Sequence, residues 1–285
     1  MAKKGIIAVL AVLVIAVAGI GAYALADHGD GNSSERTTIV VAGSTTVAPI
    51  MSIVTEEYET LYSSVTIQLT ANGSSTGAAA VIDGSADIAM LSRDLKDSEV
   101  TSGLHAYTIG KDGIAMIVNA KVSVSDLTLQ QIADIYDGKI TNWNQVGGDN
   151  AAINLIGRES SSGTRGAFEE LMVKADPSFK ASNSMIEMSS NNALLTAVGN
   201  TASSIGYVSL GIALTADSNA VSILSVGGVQ ATVAHVVDGS YTLQRSLLLA
   251  TMGEATGASL ALINWVLGSE GQKIVEEEGY IPISS

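Results

Sequence analysis

The run Arg158-Glu159-Ser160-Ser161-Ser162-Gly163-Thr164 sets a guanidinium beside four hydroxyls and a glycine within seven residues. A guanidinium presents a planar fork of N–H donors that fits an oxyanion through two parallel bonds, and hydroxyl hydrogens rotate to meet an acceptor. Glycine lets the backbone approach closely. Three other stretches share this chemistry: Gly43-Ser44-Thr45-Thr46, Asn72-Gly73-Ser74-Ser75-Thr76-Gly77 and the pair Ser92-Arg93. Each alone has a plainer reading, because Ser and Thr also cap helices and Arg93 can form a surface ion pair with Asp94 or Asp97. Arg165, one residue past the seven-residue run, reads as a solvent-facing helix residue. Together the four stretches form a donor set for a small tetrahedral oxyanion.

Covalent chemistry fits less well. No Gly-Lys-[Ser/Thr] follows a suitable glycine-rich turn, so a nucleotide-hydrolysing loop lacks its lysine and metal ligand. A serine hydrolase built on Ser162 needs a histidine, and His28, His105 and His235 lie away from the hydroxyl loops in sequence. The chain contains no cysteine, which removes disulfides, thiolate metal sites and a thiol nucleophile. Neither a catalytic residue, a metal site nor a cofactor is expected. A serine phosphatase or esterase is the reading from another functional class.

The loops must be held by the elements around them. Residues 38–42, 65–71, 86–91 and 153–157 read as short strands that run into these loops, and three of the loops open helices. Those helices begin near Val47, with Pro49 in the first turn, over 78–83, and over 165–174, where Phe168, Leu171 and Met172 share a face. A helix N-terminus leaves backbone N–H groups unpaired and carries about half a positive charge, so an anion there meets several aligned donors. In open α/β sheets, ligands sit beyond the carboxyl ends of the strands, where all four loops fall. A helix over 127–136 started by Ser125 or Asp126, a strand over 205–210, and helices over 256–267 and 272–278 complete the α/β pattern. Extended segments at 113–119 and 243–251 read as two crossings between lobes. The expected division is therefore 37–113 plus 243–285 for one lobe and 114–242 for the other.

Composition agrees with a folded, extracytoplasmic protein. Lys3 and Lys4 precede an uninterrupted apolar run, so residues 1–26 read as a signal peptide or an N-terminal membrane anchor, and 27–36 as a polar linker. A formal charge of -14 argues against nucleic acid as a partner, because the long-range field repels a polyanion. A small anion needs only local donors.

In this order the four loops, with Ala86-Asp87-Ile88-Ala89-Met90-Leu91 before Ser92-Arg93, resemble the phosphate-binding component of phosphate ABC transporters. The likeness extends to Gly138-Lys139-Ile140-Thr141-Asn142-Trp143 and to Gly279-Tyr280-Ile281-Pro282 near the end. It implies a two-lobed, periplasmic-binding-protein-like fold of type II with the ligand in the cleft between lobes. It further implies that inorganic phosphate is held by Thr45, Thr46, Ser74, Ser75, Ser92 and Arg93 from one side and by Arg158, Ser161, Ser162, Gly163 and Thr164 from the other. A monomer that hands its ligand to the permease subunits of an ABC transporter is the implied partner scheme. Sulfate, molybdate or tungstate is the alternative cargo within the same architecture. Some members of the family carry aspartates where Arg93 and Ser160 stand. Without them, Asp94, Glu159 or a serine oxygen is expected to accept a phosphate proton.

Overall fold

Residues 36–283 are described by the computed structural model, in which the chain opens with β1 (Thr37–Gly43), α1 (Ala48–Leu61), β2 (Val65–Ala71), α2 (Ser74–Ile82) and β3 (Ile88–Leu91). The readings for residues 1–26 and for the linker up to residue 35 lie outside the described residues. β1 pairs in parallel with β2 on one edge and β3 on the other, as strand–loop–helix units require. A short helix, α3 (Asp97–Thr101), then leads into the sixteen-residue strand β4 (Leu104–Asn119).

The middle of the chain follows as β5 (Asp126–Leu127), α4 (Leu129–Tyr136), β6 (Asn154–Arg158), α5 (Gly163–Ala175), β7 (Ile186–Met188), α6 (Asn191–Asn200) and β8 (Ser204–Ser209). After α7 (Leu210–Ala213), β9 (Val221–Ile223), β10 (Ser225–Val226) and α8 (Val233–Val237), the chain returns through β11 (Gln244–Met252). It ends in α9 (Gly257–Leu267), α10 (Ser269–Glu277) and β12 (Ile281–Pro282). Two local expectations are corrected. Asp126 does not start a helix, because Asp126 and Leu127 pair in parallel with Ser225 and Val226. Thr128 caps α4 instead, with its hydroxyl taking the Gln131 N–H and the Gln131 side chain returning to the Thr128 N–H. α2 starts at Ser74, not at Ala78, so the hydroxyl loop is itself the helix N-terminus.

The large sheet runs β2-β1-β3-β11-β4-β8-β6-β7, with β9 and β12 also on β4. β4 changes partners partway along. From Leu104 to Gly113 it pairs antiparallel with β11, and from Ile114 to Val118 it pairs antiparallel with β8. The buried side chains divide near the same points. One core collects buried residues between Ile114 and Leu243 together with Ile281, and the others draw on stretches between Ile39 and Ile109 and between Leu247 and Tyr280.

α5 is anchored to its core by aromatic packing. Phe168 stacks on Tyr207 with centroids 4.1 Å apart and planes 6° from parallel, and Tyr136 meets both rings edge-on. The Tyr207 hydroxyl in turn accepts the Arg158 N–H at 3.3 Å, so this cluster also fixes the end of β6. Phe168→Ala removes the stacked ring from a fully packed position and is expected to cost about 3–5 kcal/mol. A lower urea midpoint at unchanged slope is the result expected.

Candidate functional site

The four loops converge. Thr46 Oγ1 lies 3.3 Å from Thr164 Oγ1, Arg158 Nη2 donates to Thr45 Oγ1 at 3.2 Å, and the Ser75 N–H donates to the Ser161 carbonyl at 2.9 Å. Ser74 Oγ accepts the Ser92 N–H at 3.1 Å and lies 3.4 Å from Ser92 Oγ. Gly163 presses between these two serines: a Cβ there would collide with both hydroxyl oxygens. Gly43, at φ 137°, permits the turn from β1 toward Thr45 and Thr46, where a side chain would strike the Met90 carbonyl. Thr46, Ser74, Ser92, Ser162, Thr164, Arg93 and Arg158 are all buried, an unusual concentration of polar side chains. Thr45, Ser75 and Ser161 are half-buried at the edge of the cluster.

Some of these groups also serve the helices. Ser44 Oγ takes the N–H groups of Thr46 and Val47, and Ser162 Oγ takes the Arg165 N–H, so the capping reading and the cluster reading hold together. Arg165 does not merely face solvent. It pairs with Glu169 and Glu187 and donates to the Arg158 carbonyl at 2.9 Å. His105 packs against Tyr107, and His235 Nδ1 lies 2.9 Å from the Gln230 carbonyl; among the described residues neither is hydrogen-bonded to Ser162.

Three guanidinium groups surround the hydroxyls, each with its own carboxylate. Arg158 donates through Nε and Nη2 to the two oxygens of Glu159 at 2.9 Å each, and through Nη1 to Asn191 Oδ1 at 3.0 Å. Arg93 makes no surface pair with Asp94 or Asp97. It is buried and grips both oxygens of Glu99 at 2.6 and 2.8 Å, while Nη2 reaches Ser75 Oγ at 3.2 Å. Its Nε–H has no hydrogen-bond partner among the described residues. Burial acts to raise the Glu99 carboxyl, but the bonds from Arg93 and from the Lys96 N–H outweigh it and hold the group below its ordinary value.

The third guanidinium, Arg245, escaped the sequence reading, as did Asp112, Asn191 and Glu99. Arg245 and Asp112 stand opposite each other in the β4–β11 pairing and are bonded at 2.6 and 3.1 Å. Arg245 also donates to Thr46 Oγ1 and to the Ser92 carbonyl, both at 3.2 Å, while Asp112 Oδ1 accepts from Ser209 Oγ and the Leu210 N–H. Burial pushes the Asp112 carboxyl up, and the Arg245 guanidinium opposes that push. A signal for Arg245 was present: it is the lone charge in the extended run 243–251 and leads into the apolar stretch Leu247–Ala250, where a buried charge needs a partner. Asn191, at the start of α6, carried none.

This arrangement can surround a small anion with hydroxyl, amide and guanidinium donors. Among the described residues, no three Asp, Glu, His or Cys side chains gather as a metal site. Fold and site together define the binding-protein class of α/β chains, in which strand ends from two cores meet over a ligand. A family model described as a PBP superfamily domain matches residues 29–270, and the chain belongs to that superfamily. It is 30% identical over 259 residues to the phosphate-binding protein PstS of Borreliella burgdorferi, covering 89% of this chain and 93% of the relative. It is 29% identical to PstS of Bacillus subtilis, over 90% of this chain and 85% of the relative. Among solved structures, a putative phosphate ABC transporter substrate-binding protein from Clostridium perfringens, with bound phosphate, matches with a TM-score of 0.80 at 36% identity. That match covers 87% of this chain and 100% of the other. An ABC-type phosphate transport receptor from Vibrio cholerae matches with a TM-score of 0.73 at 32% identity, covering 86% and 100%.

The Glu99 environment makes a pH prediction. A carboxyl held below its unfolded value contributes stability that is present above about pH 4.3 and is lost as pH falls through the folded value. Glu99→Gln is expected to cost roughly 2–4 kcal/mol at pH 7 by leaving Arg93 buried without its counter-charge. Urea unfolding at pH 7 and near pH 3 should show the gap between variant and wild type narrowing in acid.

Proposed function

We propose that this protein binds inorganic phosphate outside the cytoplasm and delivers it to an ABC-type permease, by closing two lobes on the anion. The observation that carries the reading is the meeting of Arg158 and the Ser162–Thr164 helix start, on one core, with Thr45, Thr46, Ser74 and Ser92 on the other, within hydrogen-bond distance. The names of the relatives and the phosphate bound in the Clostridium structure favour phosphate over sulfate, molybdate or tungstate. The lobes are residues 37–113 plus 243–285 and residues 114–242. This division is supported by the change of partner in β4 and by the separation of the cores.

Binding works by differential contact. An anion that touches donors from both lobes has its full set of bonds only when the lobes are closed, so it shifts the equilibrium toward that form. Thr45, Thr46, Ser74, Ser75 and Ser92 supply donors from the first lobe, with Arg93 held beside them by Glu99. Arg158, Ser161, Ser162, Gly163 and Thr164 supply donors from the second. No covalent step takes part. Residues 1–26 direct the chain across the membrane or anchor it there. Among the described residues no helix is long and apolar enough to cross a membrane. The bound form docks as a monomer on the permease subunits.

Calorimetric titration of the purified protein with phosphate and with sulfate tests the reading. Tight phosphate binding with weak sulfate binding is expected, and the absence of phosphate binding by a folded wild-type protein rejects it. Arg158→Ala should weaken phosphate binding by at least about a hundredfold, the scale of a lost charge-assisted contact, with the fold retained. Gly163→Ala should also weaken binding, by roughly tenfold or more, since its methyl meets the Ser74 and Ser92 hydroxyls only when the lobes close. Its urea midpoint is expected to stay near that of the wild type.

A further inference from the structure

The hydroxyl of Thr46 is surrounded in a way that fixes the direction of its hydrogen. Asn191 Nδ2 lies 2.8 Å from Thr46 Oγ1 and Arg245 Nη2 lies 3.2 Å from it. The orientation of the Asn191 amide is set by chemistry. Its other end faces Arg158 Nη1 at 3.0 Å, and a guanidinium can only donate, so that end is the oxygen and the end facing Thr46 is the NH2. Arg245 likewise can only donate. A threonine oxygen has two lone pairs, and here both accept from obligate donors. The Thr46 O–H must therefore donate, and the remaining neighbour in its reach is Thr164 Oγ1 at 3.3 Å, on the opposite face of the cleft.

We propose that Asn191 and Arg245 are positioning residues that convert the Thr46 hydroxyl into a dedicated donor aimed at the bound oxyanion. This rests on the phosphate-binding reading above. Two features make the arrangement purposeful. Asn191 is 1% exposed and spans Arg158 and Thr46 with one amide, so the principal cation and the oriented hydroxyl are aligned by the same group. Arg245 is held by Asp112, so its guanidinium is fixed before any ligand arrives and its charge is locally offset. A hydroxyl left free in both roles would have to be turned when the anion binds, and this one is already turned.

The test is a double-mutant cycle in phosphate affinity, measured by calorimetry on the full protein. Thr46→Val keeps the shape of the side chain and removes the hydroxyl, and Asn191→Ala removes the amide. If Asn191 acts through Thr46, Asn191→Ala weakens phosphate binding roughly tenfold in the wild-type background and less than about threefold in the Thr46→Val background, the scale of one hydrogen bond. Any effect of Asn191 transmitted through Arg158 alone is the same in both backgrounds and cancels from the comparison. Equal losses in the two backgrounds overturn the proposal. Arg245→Lys, which retains a charge opposite Asp112 but lacks the fork that reaches Thr46, repeats the cycle and decides the matter if Asn191→Ala fails to fold. Failure of the wild-type protein to bind phosphate removes the functional reading, and this proposal with it. Binding by the wild type with a flat cycle removes this proposal alone.

Discussion

The Asp112–Arg245 ion pair sits where β4 passes from one core to the other. A buried pair of this kind is costly, because desolvating two charges takes several kcal/mol per ion and the attraction between them repays it only when the remaining hydrogen-bonding capacity is filled. Here it is filled from both sides of the molecule. Ser209 and the start of α7 bond to Asp112, while the Ser92 carbonyl and Thr46 accept from Arg245. The pair thus ties the strand ends of the first core to the strand that enters the second, and the site inherits its position from that tie.

The same logic governs the charge of the site. Arg93, Arg158 and Arg245 each face a carboxylate of their own, so the charges of these three guanidinium groups are formally offset before an anion enters. In a chain of formal charge -14, the net charge does not favour long-range attraction of an anion. Recognition must come from oriented dipoles at short range: helix N-termini, backbone N–H groups and hydroxyls whose directions are already set. That accounts for the dense hydroxyl loops and for the glycine that lets the start of α5 lie against Ser74 and Ser92.

What could be read from the sequence follows from how local each determinant is. The hydroxyl loops, the strands before them and the helices after them were legible because glycine, capping residues and apolar periodicity act over a few residues. The partner of Arg93 was hidden for the same reason: Asp94 and Asp97 are its neighbours in sequence, but the carboxylate it takes is Glu99, which the turn into α3 brings under it. Asp112 and Arg245 required the antiparallel register of two strands more than a hundred residues apart. Asn191 required the closed approach of α6 to Thr46, and nothing in its neighbourhood announces that. The start of α4 moved to Thr128 because a distant two-residue strand claimed Asp126 and Leu127.

The departures at Arg93 and Ser160 from the aspartates that some related proteins carry now have a physical context. Glu159, one residue earlier than Ser160, accepts from Nε and Nη2 of Arg158, so that guanidinium has a carboxylate beside it. At Arg93 the change runs deeper, since the guanidinium arrives with its own counter-charge in Glu99. Each oxygen of Glu99, Glu159 and Asp112 already accepts a hydrogen bond from within the protein. Asp94, next to Arg93 in the chain, is exposed. With Thr46 committed as a donor, the serine hydroxyls join Glu159 and Asp94 as groups able to accept from a protonated oxyanion. A serine can turn to donate to one anion and accept from another, whereas a carboxylate can only accept.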